Sequence, residues 1–569
     1  MARGVGSDAS VYADRARRLG LTFVPFMQLG SGARADVDAI RRGAFAMSVE
    51  GERLAYLAPD EDAMPGVLRW LSRYPSARRR LRVSTPSAIR AALLAAGEER
   101  LAKRSVSHLA KWRPDLSAKR VATGGQIATA VCLLAIVAAA LVMWPLAASI
   151  ALNLIGGAFF FGVSVLRFVA AGFTRTPHRA ASATKLVRDE NLPVYTVLVP
   201  LVDEAAIVDE LIDSLDEIDW PQDRLDVKLI LEADDQATIG AVRKRVGRAP
   251  YQLVIVPPIG PRTKPKALSF ALAFARGEFI TVYDAEDRPH PWQLREAYAA
   301  FSREGRDLAC LQSALVIDNG SANWLARLFT IEYAALFAGL LPALAKLGMP
   351  LPLGGTSNHF RRAALEAVGG WDPYNVTEDA DLGIRLARFG YRAATIGLPT
   401  LETAPAALGP WHRQRTRWFK GWMQTWLVHT RQPVRLTREL GPRGLLGFNL
   451  VATGLIVSSL VYPIYLATIL ALASNPLGLW GDGGVFAAMM LGVDLFNLVA
   501  GYVAMALLGG RSLSVRGRAS EARGMALLPV YWLLMSVAAY RAVFELFVRP
   551  HHWEKTPHQR RRSSREPVA

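Results

Sequence analysis

Three acids fall within four residues at Asp284, Glu286 and Asp287. The apolar, β-branched run Phe279-Ile280-Thr281-Val282-Tyr283 leads into them and predicts a strand that delivers them at its carboxyl end. Open α/β sheets bind ligands at that end. Carboxylates so close repel one another, so they must be solvated, paired with cations or wrapped around a metal. Mg2+ or Mn2+ takes few carboxylates and completes its shell with phosphate oxygens, which makes a nucleotide diphosphate the natural guest. An acidic turn after a strand would account for the stretch taken alone.

Other residues of the same chemical kind surround it. Leu201-Val202-Asp203-Glu204 follows one predicted strand and Leu231-Glu232-Ala233-Asp234-Asp235 ends the next. Acids at two strand ends can hold a nucleoside through its base and ribose hydroxyls. Lys264-Pro265-Lys266 opens a helix after a Pro-rich turn, where a diphosphate needs countercharge. Each of these also reads as surface charge on a loop. Farther on, Gly354 to Asn358 is a loop of small residues, and Thr377-Glu378-Asp379 opens a helix. Thr377 suits a cap with the two acids in the first turn; a carboxylate there can instead take a proton from an attacking hydroxyl. In Gln414-Arg415-Thr416-Arg417-Trp418, Gln414 and Arg417 share a helix face, with Trp418 one turn beyond Gln414. Arginine clamps phosphate oxygens bidentately, and an indole face suits a sugar ring. A membrane-surface aromatic belt is the rival explanation for the tryptophans.

The elements that must position these residues follow from composition. The chain has 569 residues, 51% hydrophobic and 20% charged, so it is too long for one domain and too apolar to be wholly soluble. Its formal charge of +18 gathers beside apolar runs and in the tail, as cytoplasmic flanks of membrane spans do, so no nucleic-acid partner is expected. Cys132 and Cys310 do not look like a disulfide pair, which fits a reducing compartment, and the amino terminus lacks a leader pattern. Residues 1–120 predict a small α/β domain, with a helix opening at Pro86-Ser87. Residues 121–174 predict two transmembrane helices broken at Pro145, with basic residues at both outer ends. Residues 190–405 alternate strands and helices, predicting a mainly parallel sheet covered on both faces. An interfacial amphipathic helix is expected over 406–440, a second over Trp324–Leu347, and two further spans over 441–510 joined by an outward loop at Asn475–Gly484. For 524–549, Arg541, Glu545 and the basic tail 550–569 favour an interfacial helix over a span.

In this order the motifs resemble the membrane-bound family-2 glycosyltransferases, the group of cellulose, chitin and hyaluronan synthases. The likeness covers about Leu192 to Trp422 and rests on Asp234-Asp235, Asp284-Ala285-Glu286-Asp287, Thr377-Glu378-Asp379 and Gln-x-x-Arg-Trp. It implies a cytosolic α/β domain of GT-A type carried on α-helical transmembrane segments in a bacterial-type inner membrane. It makes Asp379, beside Glu378, the general base, with Asp284, Glu286 and Asp287 at the Mg2+ or Mn2+. Glu286 stands where the family has a second aspartate, so either its longer arm reaches the metal or Asp287 does. Glu204, Asp234, Asp235, Lys266, Gln414 and Arg417 become donor contacts, and Trp418 with Thr377 the acceptor platform. Trp553, Lys555 and Thr556 are similar to the gating segment of processive synthases. The implied reaction is inverting transfer from a nucleotide sugar, UDP-linked, to build and export a β-linked glycan. Transfer of one sugar to a lipid acceptor is the nearer alternative, and a nucleotide-sugar-binding transporter or receptor the more distant one. Residues 1–120 resemble the N-terminal domain of type II secretion ATPases, which implies docking or regulation, including export or regulatory partners.

Overall fold

The computed structural model describes residues 5–25, 44–49, 52–61, 63–174, 189–246, 249–474 and 484–552. The chain falls into two compact units: Met1–Ser107 with Pro193–Val208 and Gln222–Glu278, and His108–Leu192 with Asp209–Pro221 and Phe279–Ala569.

The first unit contains two sheets. Strands β1 (Thr22–Phe23), β2 (Ala44–Val49), β3 (Glu52–Leu57) and β4 (Leu81–Val83) lie in the order β1-β4-β3-β2. Leu19, Leu21, Leu71 and Val83 close the core of this small domain beneath helices Val5–Leu19 and Met64–Arg73. The long helix that follows starts at Pro86, as expected from a proline at a first helical position. Strands β5 (Tyr195–Leu201), β6 (Leu225–Glu232) and β7 (Tyr251–Val256) pair in parallel. All eight residues of β6 are buried, the continuous burial expected of a strand covered on both faces.

The second unit holds β8 (Phe279–Val282), β9 (Arg288–Pro289), β10 (Leu308–Ile317), β11 (Asn358–Arg361) and β12 (Arg392–Glu402), in the order β8-β11-β10-β12-β9. The pairing is mixed: β11 runs antiparallel to both β8 and β10, whereas β12 is parallel to β10. The sequence pattern identifies β8 and β10 but passes over β11, because Asn-His-Phe-Arg lacks the apolar alternation of a strand.

Among the described residues six helical stretches are long and apolar enough to cross a membrane. Helices α1 (Gly124–Met143) and α2 (Pro145–Ala171) are the expected pair, α1 opening with a capping box between Thr123 and Gln126. The stretch Trp324–Lys346, expected at the membrane surface, is largely buried inside the protein; its first part, Trp324–Ala335, is α3. Helices α4 (Glu378–Arg388) and α5 (Leu408–His429) carry the motif residues. Helices α6 (Gly454–Ser474) and α7 (Gly484–Val515) fall where two later spans are expected, and α8 (Leu528–Val548) closes the described chain. The connection 475–483 and the segment holding Trp553, Lys555 and Thr556 lie outside the described residues.

Helix α8 runs beside α5 in the same direction. Near one end the Trp411 indole N–H donates to the Tyr531 hydroxyl at 3.3 Å. Near the other, the Lys420 ammonium meets Glu545 at 3.0 Å.

Candidate active site

In the second unit the turn after β8 is shaped by Asp287. Its Oδ2 accepts from the Asp284 N–H at 2.7 Å and from the Thr356 hydroxyl. Its Oδ1 is buried without a hydrogen-bond partner. Burial, followed by the charges of Asp284 and Glu286, pushes the Asp287 carboxyl well above the usual range. Asp287 thus faces inward and builds the turn, while Asp284 and Glu286 stay partly exposed. The described residues contain no group of three His, Cys, Asp or Glu side chains arranged to hold a metal. Two partly exposed carboxylates beside a third that resists ionisation still form a turn with surplus negative charge. A divalent cation that draws its remaining ligands from phosphate and water fits that demand.

Thr356 belongs to the small-residue loop, which returns to the sheet at once: the Ser357 N–H donates to the Val282 carbonyl at 2.7 Å. The preceding residues press on α4, where a Cβ at Gly383 would overlap the Leu351 carbonyl oxygen. Asp379 lies four residues before Gly383, on the same face of α4, and is partly exposed. Glu378 is buried at 8% exposure. Thr377 occupies the cap position without capping; its N–H donates to the Asn375 side chain at 3.0 Å instead.

Helix α5 braces α4 along its length. A Cβ at Gly421 would lie 2.7 Å from the Thr377 Cβ, so glycine lets the two backbones approach. Gln414, Arg417 and Trp418 precede Gly421 by seven, four and three residues and therefore share the face it turns to Thr377. The Val376 N–H donates to Gln424 at 3.1 Å, and the Asn375 amide to Thr425 at 3.0 Å. One turn deeper, His429 Nε2 meets Asp381 at 3.1 Å while Arg385 grips the same carboxylate at 2.8 Å. Burial pushes the His429 imidazole down, consistent with a neutral ring that donates to Asp381 from Nε2 and accepts from Arg388 at Nδ1. Burial and the Asp381 charge push the buried Asp372, just before the motif, up to about 6. The Gln414 side-chain oxygen is buried without a hydrogen-bond partner.

In the first unit, Asp235 caps helix Gln236–Arg245 through the Thr238 N–H at 3.1 Å and accepts from the Asp203 N–H at 2.6 Å. Asp234 stays largely exposed beside Arg262, at 3.2 Å. Lys266, expected to answer a diphosphate, is buried and paired with Glu232 at 2.9 Å. Glu204 is buried, and its backbone N–H donates to the Thr238 hydroxyl at 3.0 Å. Asp235 and Lys266 therefore have internal partners, a role that spacing along a chain does not reveal.

Sequence reasoning passes over Arg415 within its own motif. It is buried at 2% exposure, with its guanidinium on Glu332 at 2.6 Å and Tyr531 at 3.1 Å. The signal for it is Glu332, the one acid in the mostly apolar α3.

With this geometry in place, residues 279–481 match the model for Glycosyl transferase family group 2. The match takes in β8 to β12 and helices α3 to α6, about a third of the chain's length. The chain is similar to a probable glycosyltransferase, YdaM, of Bacillus subtilis, at 26% identity over 253 residues, covering 44% of this chain and 60% of that protein. It is also similar to the beta-monoglucosyldiacylglycerol synthase of Synechocystis, at 27% identity over 257 residues, covering 44% and 52%. The mannosyltransferase PcManGT of Pyrobaculum calidifontis, solved with GDP-Man and Mn2+, superposes with a TM-score of 0.43 and 20% identity, covering 70% of this chain and 98% of that one. The chain spans between half and two thirds of the length of the first curated relatives it matches.

Proposed function

We propose that this protein transfers a sugar, with inversion, from a nucleotide-diphosphate donor of the UDP type to an acceptor hydroxyl at the membrane. The observation that supports the reading is the brace between α4 and α5: Gly421 packs against Thr377 at the start of the helix that bears Asp379, and Gln414, Arg417 and Trp418 fall on the same face of α5 as Gly421. In this reading Asp379 takes the proton from the acceptor hydroxyl, and that oxygen attacks the anomeric carbon opposite the leaving diphosphate. Glu378, buried behind it, holds the helix start in place. Arg417 and Gln414 bind the diphosphate, and Trp418 with Thr377 receives the acceptor. Asp284 and Glu286 would hold Mg2+ or Mn2+, which when bound supplies charge stabilisation to the departing phosphate. Asp234, with Asp235 and Glu204 behind it, serves the nucleoside; Lys266 supports the strand end through Glu232.

For the acceptor we favour a diacylglycerol-type lipid, because the product named for the Synechocystis relative is a monoglucosylated diacylglycerol and the motif helix α5 packs against apolar helices. Six apolar stretches exceed what anchoring requires, which favours a second reading, a growing glycan passed outward through them. Location in a bacterial-type inner membrane with the catalytic domain in the cytosol accords with either, and the small N-terminal domain would then dock or regulate. The test is to incubate the purified chain with radiolabelled UDP-sugars and dioleoylglycerol, with and without a chelator. One glycolipid band that disappears on chelation and returns with Mn2+ is the expected result. A ladder selects the second reading, and product in both Asp284→Asn and Asp379→Asn ends the proposal.

A further inference from the structure

The sequence motif draws attention to Gln414, Arg417 and Trp418, yet the most heavily contacted residue of that segment is Arg415. Its guanidinium packs into the corner formed by two rings, 4.5 Å from the centroid of Phe329 and 4.4 Å from that of Trp418, the two rings being 6.2 Å apart and tilted by 52°. Its Nη1 donates to Glu332 Oε1 at 2.6 Å, and its Nη2 to the Tyr531 hydroxyl at 3.1 Å. That hydroxyl in turn donates to Glu332 Oε2 at 2.6 Å and accepts from the Trp411 indole at 3.3 Å. Tyr333 stacks toward Trp418, with 6.4 Å between centroids and 28° between planes. Three helices, α3, α5 and α8, thus converge on one buried cation. Trp418, by contrast, remains partly exposed.

A guanidinium packed against two adjoining rings, with N–H groups tied to a carboxylate and a hydroxyl, leaves the Trp418 ring against it little freedom to tilt. We infer that Arg415 is a positioning residue: it fixes the plane on which the acceptor sugar or glycerol backbone rests, without touching the substrate itself. The inference rests on the reading of Trp418 as the acceptor platform, and its test separates the two.

Removing Arg415 alone would leave the partly buried Glu332 carboxylate without its cation, so the informative variant is the pair Arg415→Met with Glu332→Gln, which roughly keeps volume and removes both charges. The chain is labelled with 5-fluorotryptophan and the Trp418 resonance is identified by its loss in Trp418→Phe. In the unsubstituted protein this line is expected to be narrow; in the paired variant it shifts and broadens while lines from Trp220 and Trp371 stay in place. With UDP-glucose and dioleoylglycerol in mixed micelles, the KM for dioleoylglycerol is expected to rise about tenfold, while the KM for UDP-glucose and slow donor hydrolysis stay within about twofold. Arg415→Lys, which keeps charge but loses the planar fork, is expected to move the acceptor KM in the same sense. An unmoved Trp418 line, or equal losses on donor and acceptor, overturns the inference and leaves the proposed function standing. A Trp418→Ala variant with unchanged acceptor KM, or an unsubstituted chain that does not use this acceptor, overturns the platform reading for this lipid and the inference with it.

Discussion

At the scale of single residues, the sharpest consequence concerns Asp379. Asparagine in its place keeps the side-chain acceptor for the Ala380 N–H, a bond of 2.8 Å, but cannot take up a proton. Transfer is therefore expected to fall by about 10^2–10^4, with the thermal midpoint unchanged, as read by product formation and a melt on one sample. A second residue sets an acid limit. Burial pushes the imidazole of His359, in β11, down to about 3. The unfolded chain binds a proton there near pH 6.5 and the folded chain does not, so stability is complete above that pH and is lost as pH falls toward 3. The difference is worth roughly 5 kcal/mol across the window. His359→Gln should flatten the dependence of the thermal midpoint on pH between about 6.5 and 3. The residues that could do chemistry were legible as types, because acids after a strand and an arginine beside a tryptophan are visible in any order of reading. Their duties were less so. Asp235, Lys266 and Asp287 each satisfy a neighbour that lies near only after folding.

At the scale of elements, two glycines decide how closely α4 is held. Gly421→Ala sets a methyl against the Thr377 side chain, and overpacking of this kind costs about 1–3 kcal/mol. Because the opposing atoms belong to a side chain, Thr377→Ala should recover part of the loss. Gly383→Ala meets the Leu351 carbonyl, which is backbone, so no shortening of a neighbour should recover it. Comparing the four melts and activities separates a yielding contact from a rigid one. The strands flanking the acids were readable from apolar runs bounded by turn residues. β11 was not, since its polar residues sit between two neighbours and owe their strand state to pairing on both sides. The burial of Trp324–Lys346 was also out of reach: an apolar helix reads alike whether protein or lipid surrounds it.

At the scale of the molecule, the placement of α8 follows from its two ends. Tyr531 is tied to Trp411 and Glu545 to Lys420, so both ends of α8 are held against α5 between Trp411 and Lys420. Length and composition alone make Ala519–Val548 a candidate span. Were α5 to lie along the membrane surface, as its sequence pattern predicts, a helix that follows it would keep both ends on one side of the bilayer. The sequence has only Cys132 and Cys310, so single cysteines are easily introduced. In a Cys132→Ser background, Ser520→Cys and His552→Cys should both react with a membrane-impermeant maleimide from the same side of sealed vesicles; labelling from opposite sides would make α8 a span.

The residues just after α8 add a practical consequence. The carbonyls of Arg549 and His552 receive the Lys420 ammonium at 3.4 and 2.8 Å, and that of Pro550 receives the Gln424 amide at 2.9 Å. Trypsin cuts poorly when proline follows the basic residue, so the Arg549–Pro550 bond is expected to resist digestion. A proteolytic cut after Arg549 would remove the Pro550 and His552 carbonyl contacts at once, so its appearance would report loosening of this end of α8 from α5.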